Sequence, residues 1–122
     1  MCLTRWSGNC GKACRGCARH LSSLCTKRLE RVYKSFTKED LKLLVPHQAN
    51  LRIIRATQER LGVDDSKVMV NIDRYGNTTG GTIPLGLRDA VEQGRLHKGD
   101  LVLIVTVGAG YTTGGVLLRW AY

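Results

Sequence analysis

The segment from Leu101 to Val107 limits the possible folds most, because six of its seven residues are apolar. An apolar run of this length predicts a strand. Leu41 to Val45 and Val68 to Ile72 predict two further buried strands, and Val116 to Trp120 predicts a last one. Because such strands need helices on both sides of their sheet, the chain is predicted to adopt an α/β fold.

Two helices complete this prediction. From Ala49 or Asn50 to Leu61, apolar residues recur at helical spacing, and Gly62 is suited to end the helix. Another helix is expected between Thr78 and Gln93, although several glycines there oppose regular structure. Its regular part is predicted to start near Pro84, since proline is tolerated in the first turn of a helix.

Charge and cysteine content divide the chain into two parts. Residues 1–37 hold eight Lys or Arg and one acid, a net charge of +7, whereas residues 38–122 hold eleven and nine, a net charge of +2. All five cysteines lie in the first part, at positions 2, 10, 14, 17 and 25. We therefore predict an irregular, basic, cysteine-rich segment over residues 1–35, followed by one folded domain over residues 36–122.

The cysteine-rich segment resembles a metal site only in its spacing. Cys10, Cys14 and Cys17 are spaced as in the iron–sulfur motif of radical S-adenosylmethionine enzymes, and His20 offers a fourth ligand. The remaining chain is too short for the barrel of such an enzyme, and a zinc site needs ligand pairs separated by a structured loop. We therefore predict no metal site and no cofactor.

The basic residues of the same segment permit two further interpretations. Arg5, Lys12, Arg15 and Arg19 suit an arm that binds nucleic acid, but a charge run is more often solvated disorder, so no nucleic-acid partner is predicted. The composition changes abruptly near Phe36. We hypothesise that residues 1–35 are translated out of frame or follow a misplaced start codon, which the upstream nucleotide sequence would test.

No part of the sequence directs the chain to a membrane or out of the cell. No apolar run approaches the 18 residues of a membrane-spanning helix. The first residues also lack the apolar core of a secretory signal peptide. No membrane partner is predicted, and the chain is expected to be cytoplasmic.

Two polar side chains lie where a predicted strand gives way to a turn. His47 belongs to the motif Val-Pro-His-Gln-Ala-Asn, and Asn77 belongs to the motif Asp-Arg-Tyr-Gly-Asn-Thr. Catalytic groups and ligands of α/β sheets favour such strand ends. A single histidine or asparagine in a turn is nevertheless most often structural, so these residues alone leave both interpretations open.

These two motifs, together with Gly-Ala-Gly-Tyr-Thr-Thr-Gly at Gly108 to Gly114, resemble the C-terminal part of β-ketoacyl-acyl-carrier-protein synthase III over about residues 36–120. The resemblance implies the C-terminal half of a thiolase-like fold, with a mixed sheet and packed helices. It also implies an acyltransferase of fatty acid biosynthesis, which condenses malonyl-acyl carrier protein with acyl-coenzyme A as carbon dioxide leaves. The implied partners are acyl carrier protein, a coenzyme A thioester and, for the family, a second copy in a homodimer.

The same resemblance assigns roles to four residues. It implies that His47 and Asn77 are catalytic, that Asn50 lies near the pantetheine arm, and that Arg52 faces the phosphate and the acidic carrier protein. His47 should donate as a neutral ring, and the helix that begins at Asn50 is expected to lower its pKa through the helix dipole.

The nucleophile of the family is a cysteine from its N-terminal half, which sits in a strand-to-helix turn among small apolar residues. No cysteine of this chain lies in that context, so we expect the chain to be inactive alone. The alternative is a non-catalytic module that binds acyl carrier protein or coenzyme A through Arg52, Arg55 and Arg60, which lie off the apolar stripe of their helix.

Overall fold

A computed structural model describes residues 37–108 and 112–122 of the chain. The predictions for residues 1–35, including the cysteine-rich segment, lie outside the described residues. Within the described residues, three strands and three α-helices alternate with two short 3-10 turns. These elements are β1 (Leu41–Pro46), α1 (Leu51–Leu61), a 3-10 turn (Asp65–Lys67), α2 (Ile72–Tyr75), a second 3-10 turn (Thr79–Gly81), α3 (Thr82–Glu92), β2 (Leu101–Gly108) and β3 (Thr112–Arg119).

The three strands form one sheet in the order β1-β2-β3. β1 and β2 are parallel, with Leu44 beside Leu103, and the connection between them carries all three helices. β2 and β3 are antiparallel and are paired from Leu101 opposite Arg119 to Gly108 opposite Thr112. The described part of the chain is therefore an α/β unit with a mixed sheet, as predicted.

The core lies on both faces of the sheet. One cluster joins Leu44 and Leu103 to Ile54 of α1, and the other joins Val45 and Val102 to Ala90 of α3. The strand β1 is accordingly buried on both faces, as its sequence predicts, and each such aliphatic side chain contributes about 1.5–3 kcal/mol through burial. The sheet thus separates α1 from α3.

The prediction of a strand from Val68 to Ile72 is wrong. Only one isolated parallel bridge, between Leu44 and Val68, is found there. The reason is that the side chain of Gln48 replaces a neighbouring strand: its Nε2 donates to the Met69 carbonyl at 3.1 Å and its Oε1 accepts from the Asn71 N–H at 3.1 Å. The backbone is thus satisfied by a side chain, and from Ile72 it turns into the short helix α2.

Both longer helices lie where the sequence predicts them. α1 is capped by Asn50, whose side chain accepts from the Arg52 N–H at 2.8 Å, and it ends at Gly62, whose φ of 63° favours glycine. α3 begins at Thr82, two residues before the predicted start at Pro84. Proline fits that first turn because its missing N–H would have no partner within the helix. None of the helices in the described ranges is long and apolar enough to cross a membrane.

Candidate active site

His47 is positioned by the end of β1. Its backbone N–H donates to the Val105 carbonyl of β2 at 2.7 Å, which anchors the residue beside the sheet. Its ring is partly buried, and Nδ1 lies 2.5 Å from the hydroxyl oxygen of Thr82, the first residue of α3. One ring nitrogen is thus held by the protein.

Burial lowers the pKa of His47 below the ordinary histidine value. Since a buried imidazolium loses hydration, the neutral ring is favoured at neutral pH. The sequence led us to expect a lowered pKa, but from the dipole of the helix that begins after Asn50. The direction of the shift is confirmed, and its cause in the structure is burial.

Asn77 lies in the turn between α2 and the second 3-10 turn, and its side chain is exposed. Its Oδ1 accepts a hydrogen bond from the backbone N–H of Thr79 at 2.9 Å. This contact fixes the orientation of the carboxamide, as asparagine often does in turns. With the oxygen engaged, the amide nitrogen is the end of the side chain that is suited to donate to a substrate.

Thr79 connects Asn77 to His47. Its N–H donates to Asn77, and its carbonyl accepts from the backbone N–H of Thr82 and, at 3.1 Å, from the Thr82 hydroxyl. Thr82 in turn contacts the ring of His47. The two candidate catalytic residues are therefore the ends of one series of contacts, His47–Thr82–Thr79–Asn77, which we call the His47–Asn77 chain.

The backbone of Thr79, one member of the His47–Asn77 chain of contacts, is strained. Its φ of 53° is the only positive φ among the described residues other than glycine. A left-handed conformation costs a β-branched residue about 1–2 kcal/mol, and such strain persists only where the surrounding contacts hold it. Here the contacts to Asn77 and Thr82 hold it.

A buried network of hydrogen bonds lies next to His47. Gln48 is buried, and its side chain donates to the Pro46 carbonyl at 2.8 Å. The same side chain bonds to the backbone of Met69 and Asn71, so it joins the end of β1 to that segment. Asn71 donates from Nδ2 to the carboxylate of the buried Asp89 on α3 at 2.9 Å. The network thus links β1, α2 and α3 next to His47.

The buried Asp89 also takes hydrogen bonds from Arg88 at 2.7 Å and from the Tyr75 hydroxyl at 3.3 Å. Hydrogen bonding from Asn71, and then from Arg88, lowers the pKa of the Asp89 carboxyl. The carboxylate is thus ionised and fully bonded at neutral pH, so it holds α2, and the turn after it, against α3.

Asn50 and Arg52 lie apart from the His47–Asn77 chain, at an open cleft of about 740 Å³ along α1. The Asn50 side chain caps the helix, and the Arg52 side chain is exposed. Arg55 donates to Asp65 at 2.8 Å, so its charge is compensated in the structure. The residues that line the cleft are Ala49, Asn50, Leu51, Arg52, Arg55, Ala56, Glu59 and Ile72.

The structure therefore places the four predicted site residues in two groups. His47 and Asn77 share the hydrogen-bonded chain, whereas Asn50 and Arg52 share the cleft. The sequence did not lead us to Thr82, although a hydroxyl residue at the first turn of a predicted helix is a known signal for local hydrogen bonding. Of the glycine-rich loop after β2, Gly108 closes the strand, and the next residues lie outside the described ranges.

A family model matches most of the chain. Residues 33–120 match the model described as 3-oxoacyl-[acyl-carrier-protein] synthase III, C terminal. The chain belongs to this family. The similarity in sequence agrees with the fold, because it covers every described strand and helix.

Curated relatives support the same assignment. The chain is 55% identical over 105 residues to β-ketoacyl-[acyl-carrier-protein] synthase III of Solibacter usitatus, covering 86% of the chain and 31% of the relative. It is 58% identical over 86 residues to the synthase III of Chlorobaculum tepidum, covering 70% of the chain and 26% of the relative. The chain thus spans about a third or less of the length of these relatives.

Solved structures of the family share the fold. The synthase III of Thermus thermophilus superposes with a TM-score of 0.77 at 47% identity, covering 86% of the chain and 32% of that structure. The synthase III of Aquifex aeolicus superposes with a TM-score of 0.82 at 35% identity, covering 97% of the chain and 42% of that structure. The predicted thiolase-like fold is confirmed.

The similarity begins earlier than the sequence motifs indicated. The match with the Solibacter protein spans 105 residues, more than the 87 residues from 36 to 122, so it starts upstream of residue 36. The family model likewise begins at residue 33. The recognition of the C-terminal part from about residue 36 is confirmed, the match extends upstream of that residue, and the out-of-frame origin of residues 1–35 stays a hypothesis.

Proposed function

We propose that the chain carries the decarboxylation half-site of a β-ketoacyl-acyl-carrier-protein synthase III, with His47 and Asn77 as its catalytic residues. The substrates would be a malonyl thioester on acyl carrier protein and an acyl group delivered by acyl-coenzyme A. The family membership supports the reaction class, and the His47–Asn77 chain supports the choice of residues.

The chemistry of this half-site follows from where charge develops. When the malonyl carboxylate leaves as carbon dioxide, the electrons of the broken C–C bond form an enolate, and negative charge grows on the thioester oxygen. Two neutral donors aimed at that oxygen lower the barrier, and the loss of one such donor typically costs about 3 kcal/mol. Asn77 offers a donor that does not titrate, and His47 offers one in its neutral form.

The contact series His47–Thr82–Thr79–Asn77 carries the proposal. It orients the carboxamide of Asn77 with its oxygen toward Thr79, and it holds the His47 ring at Nδ1. The atoms that these contacts leave for a substrate oxygen are the amide nitrogen of Asn77 and Nε2 of His47. Preorganised donors of this kind cost no rearrangement during the reaction.

Condensation then needs an acyl-cysteine, whose carbonyl the enolate carbon attacks with release of the cysteine thiolate. The cysteines of this chain do not lie in the nucleophile context of the family. We therefore propose that the chain does not condense substrates alone. The experiment is a chimera in which the N-terminal two thirds of the Solibacter relative precede residues 36–122 of this chain.

Release of carbon dioxide from malonyl-acyl carrier protein is measured for this chimera and for the 122-residue chain. The proposal predicts decarboxylation and condensation by the chimera, and no condensation by the chain. A chimera that folds and binds acyl carrier protein, yet releases no carbon dioxide above background, would refute the assignment.

The second candidate function is a non-catalytic module that binds acyl carrier protein or coenzyme A, which the cleft beside Arg52 favours. Since Arg55 is paired with Asp65, the accessible charge rests with Arg52 and Arg60. The test is salt-dependent binding of acyl carrier protein to the 122-residue chain. Arg52→Glu should weaken binding by about fivefold, the size of a surface ion pair, while Lys98→Glu on an exposed loop should not. Equal weakening by both variants would contradict a specific surface.

A further inference from the structure

Pro46 interrupts the hydrogen bonds along one edge of β1. Alternate residues of a strand present their backbone groups to opposite neighbours. His47 donates to the Val105 carbonyl of β2, whereas the Leu44 carbonyl accepts from the Met69 N–H at 2.8 Å on the other side. Position 46 therefore faces the Met69 segment, where a parallel ladder would need an N–H that donates to the Met69 carbonyl. Proline has no N–H, so its backbone cannot make this bond.

The side-chain amide of Gln48 supplies the missing donor. Its Nε2 donates to the Met69 carbonyl at 3.1 Å and to the Pro46 carbonyl at 2.8 Å, and its Oε1 accepts from the Asn71 N–H at 3.1 Å. These three contacts have ordinary lengths, and Gln48 is 1% exposed. One amide thus offers a donor and an acceptor, as the peptide unit of a neighbouring strand would. Two carbonyls at one end and an N–H at the other also decide which end carries the nitrogen.

Through these bonds, Gln48 connects the two candidate catalytic residues. It directly follows His47 in the chain. Asn71, to which it bonds, is the N-cap of α2, and this four-residue helix ends two residues before Asn77. This connection does not involve the threonines of the His47–Asn77 chain. Loss of the Gln48 bonds would therefore shift His47 relative to Asn77.

We propose that Gln48 is a positioning residue, whose side-chain amide replaces the N–H missing at Pro46 and thereby fixes His47 relative to Asn77. Its effect on catalysis rests on the proposed function, because one substrate oxygen must contact both side chains. A misplacement of about 1 Å can lower a rate by about 10². The cleft along α1 that favours carrier-protein binding does not include Gln48 among its lining residues, so that binding should not depend on it.

The first test measures how fast the side-chain amide protons of Gln48 exchange with water, by ¹H–¹⁵N NMR of the 122-residue chain. Their signals are assigned by their loss in Gln48→Met, and the exposed Gln93 provides the reference in the same spectrum. Because Nε2 of Gln48 donates to two carbonyls, its protons should exchange more slowly than those of Gln93 by about tenfold or more. Equal exchange rates would overturn the proposal.

The second test determines whether Pro46 is the reason that Gln48 is needed. In the chimera, Gln48→Met keeps the length of the side chain and removes its hydrogen bonds. The kcat for carbon dioxide release should fall by about 10–10², while KM for malonyl-acyl carrier protein changes by less than about twofold. Pro46→Ala returns an N–H to position 46, so in the Gln48→Met background it should raise kcat by about fivefold, the contribution of one hydrogen bond. The control Gln93→Met should leave both constants unchanged.

This double-mutant cycle separates positioning from a general loss of stability. An unchanged kcat in Gln48→Met would overturn the proposal, and so would an equal loss of kcat with and without Pro46→Ala. If Gln48→Met does not fold, the proposal requires that Pro46→Ala restores the fold, and a double variant that stays unfolded contradicts it.

The two tests also distinguish this proposal from the proposed function. A chimera without decarboxylase activity would refute the function, and the exchange measurement would then decide the role of the Gln48 amide. Rapid exchange at Gln48 in an active chimera would refute that role and leave the function.

Discussion

His47 and Thr82 are 35 residues apart in the chain, yet Nδ1 of the histidine lies 2.5 Å from Oγ1 of the threonine. The contact joins the end of β1 to the start of α3 and is the first contact of the His47–Asn77 chain. A catalytic group on a loop is useful only if the scaffold fixes it. Here the scaffold does so through the hydroxyl of Thr82 and the strained backbone of Thr79.

Removal of either proposed donor should impair decarboxylation. In the chimera, His47→Ala and Asn77→Ala should each lower kcat for carbon dioxide release by about 10²–10³, because each removes one of two donors to the enolate oxygen. The control is His97→Ala, which alters an exposed histidine of a surface loop. Full activity in either site variant would remove that residue from the mechanism.

The pH dependence of kcat should report the lowered pKa of His47. Since the neutral ring is the active form and burial favours it, activity should persist below the ordinary histidine pKa of about 6.5. The rate should fall only as the pH drops through the lower pKa of the folded protein. A profile of the chimera from acid to neutral pH measures this, and a midpoint above the ordinary value would contradict it.

The Asp89 carboxylate should make the stability of the folded chain depend on pH in the acidic range. Its pKa is lowered in the folded state by Asn71 and Arg88, so the unfolded state takes up the proton at a higher pH. Its contribution is therefore complete above about pH 4, the pKa of an unperturbed aspartate, and is lost as the pH falls through the folded-state value. Asp89→Asn should lower Tm at neutral pH and flatten the loss of Tm on acidification.

Thermal unfolding at several pH values measures this effect, with Asp73→Asn at an exposed position as the control. If Asp89→Asn leaves both Tm and its acid dependence unchanged, the buried network does not stabilise the fold.

Gly86 allows α3 to approach β1 closely. A Cβ at this position would lie 3.1 Å from Cγ1 of Val45 and 3.7 Å from Cγ of Met69, and both side chains are buried. Gly86→Ala should therefore lower the free energy of unfolding by about 1 kcal/mol, because overpacking of about 1–3 kcal/mol exceeds a gain in helix propensity of about 1 kcal/mol.

Denaturant unfolding of a double-mutant cycle tests the cause of that loss. In a Val45→Ala background the clash is absent, so Gly86→Ala should stabilise by up to about 1 kcal/mol. The same destabilisation in both backgrounds would show that Val45 is not the obstacle.

The sequence predicted the elements whose patterns are strong. The apolar runs that became β1 and β2 favoured strands, although only the first three residues of β2 are buried, and the capped, periodic helix α1 needed one apolar side, so local rules were sufficient for each. The segment from Val68 failed because Gln48, a distant side chain, satisfies its backbone in place of a strand. Apolar content alone does not distinguish a segment that pairs with a strand from one whose backbone bonds to a side chain.

The site was predictable in part for a similar reason. His47, Asn77, Asn50 and Arg52 were named because their motifs resemble those of the family, and their roles stay proposals. Thr82 and Thr79 act through tertiary contacts and through a positive φ that only the folded backbone reveals. The same holds for the buried carboxylate of Asp89, whose hydrogen-bond partners are Asn71 and Tyr75, from α2 and its N-cap, and Arg88 of α3.

The most direct test of the central claim is a crystal structure of the chimera with a stable malonyl-thioester analogue. The account predicts that Nε2 of His47 and Nδ2 of Asn77 both lie about 2.7–3.2 Å from the thioester oxygen. Side chains that face apart, with these nitrogens more than about 8 Å from each other, could not share one oxygen through normal hydrogen bonds and would contradict it.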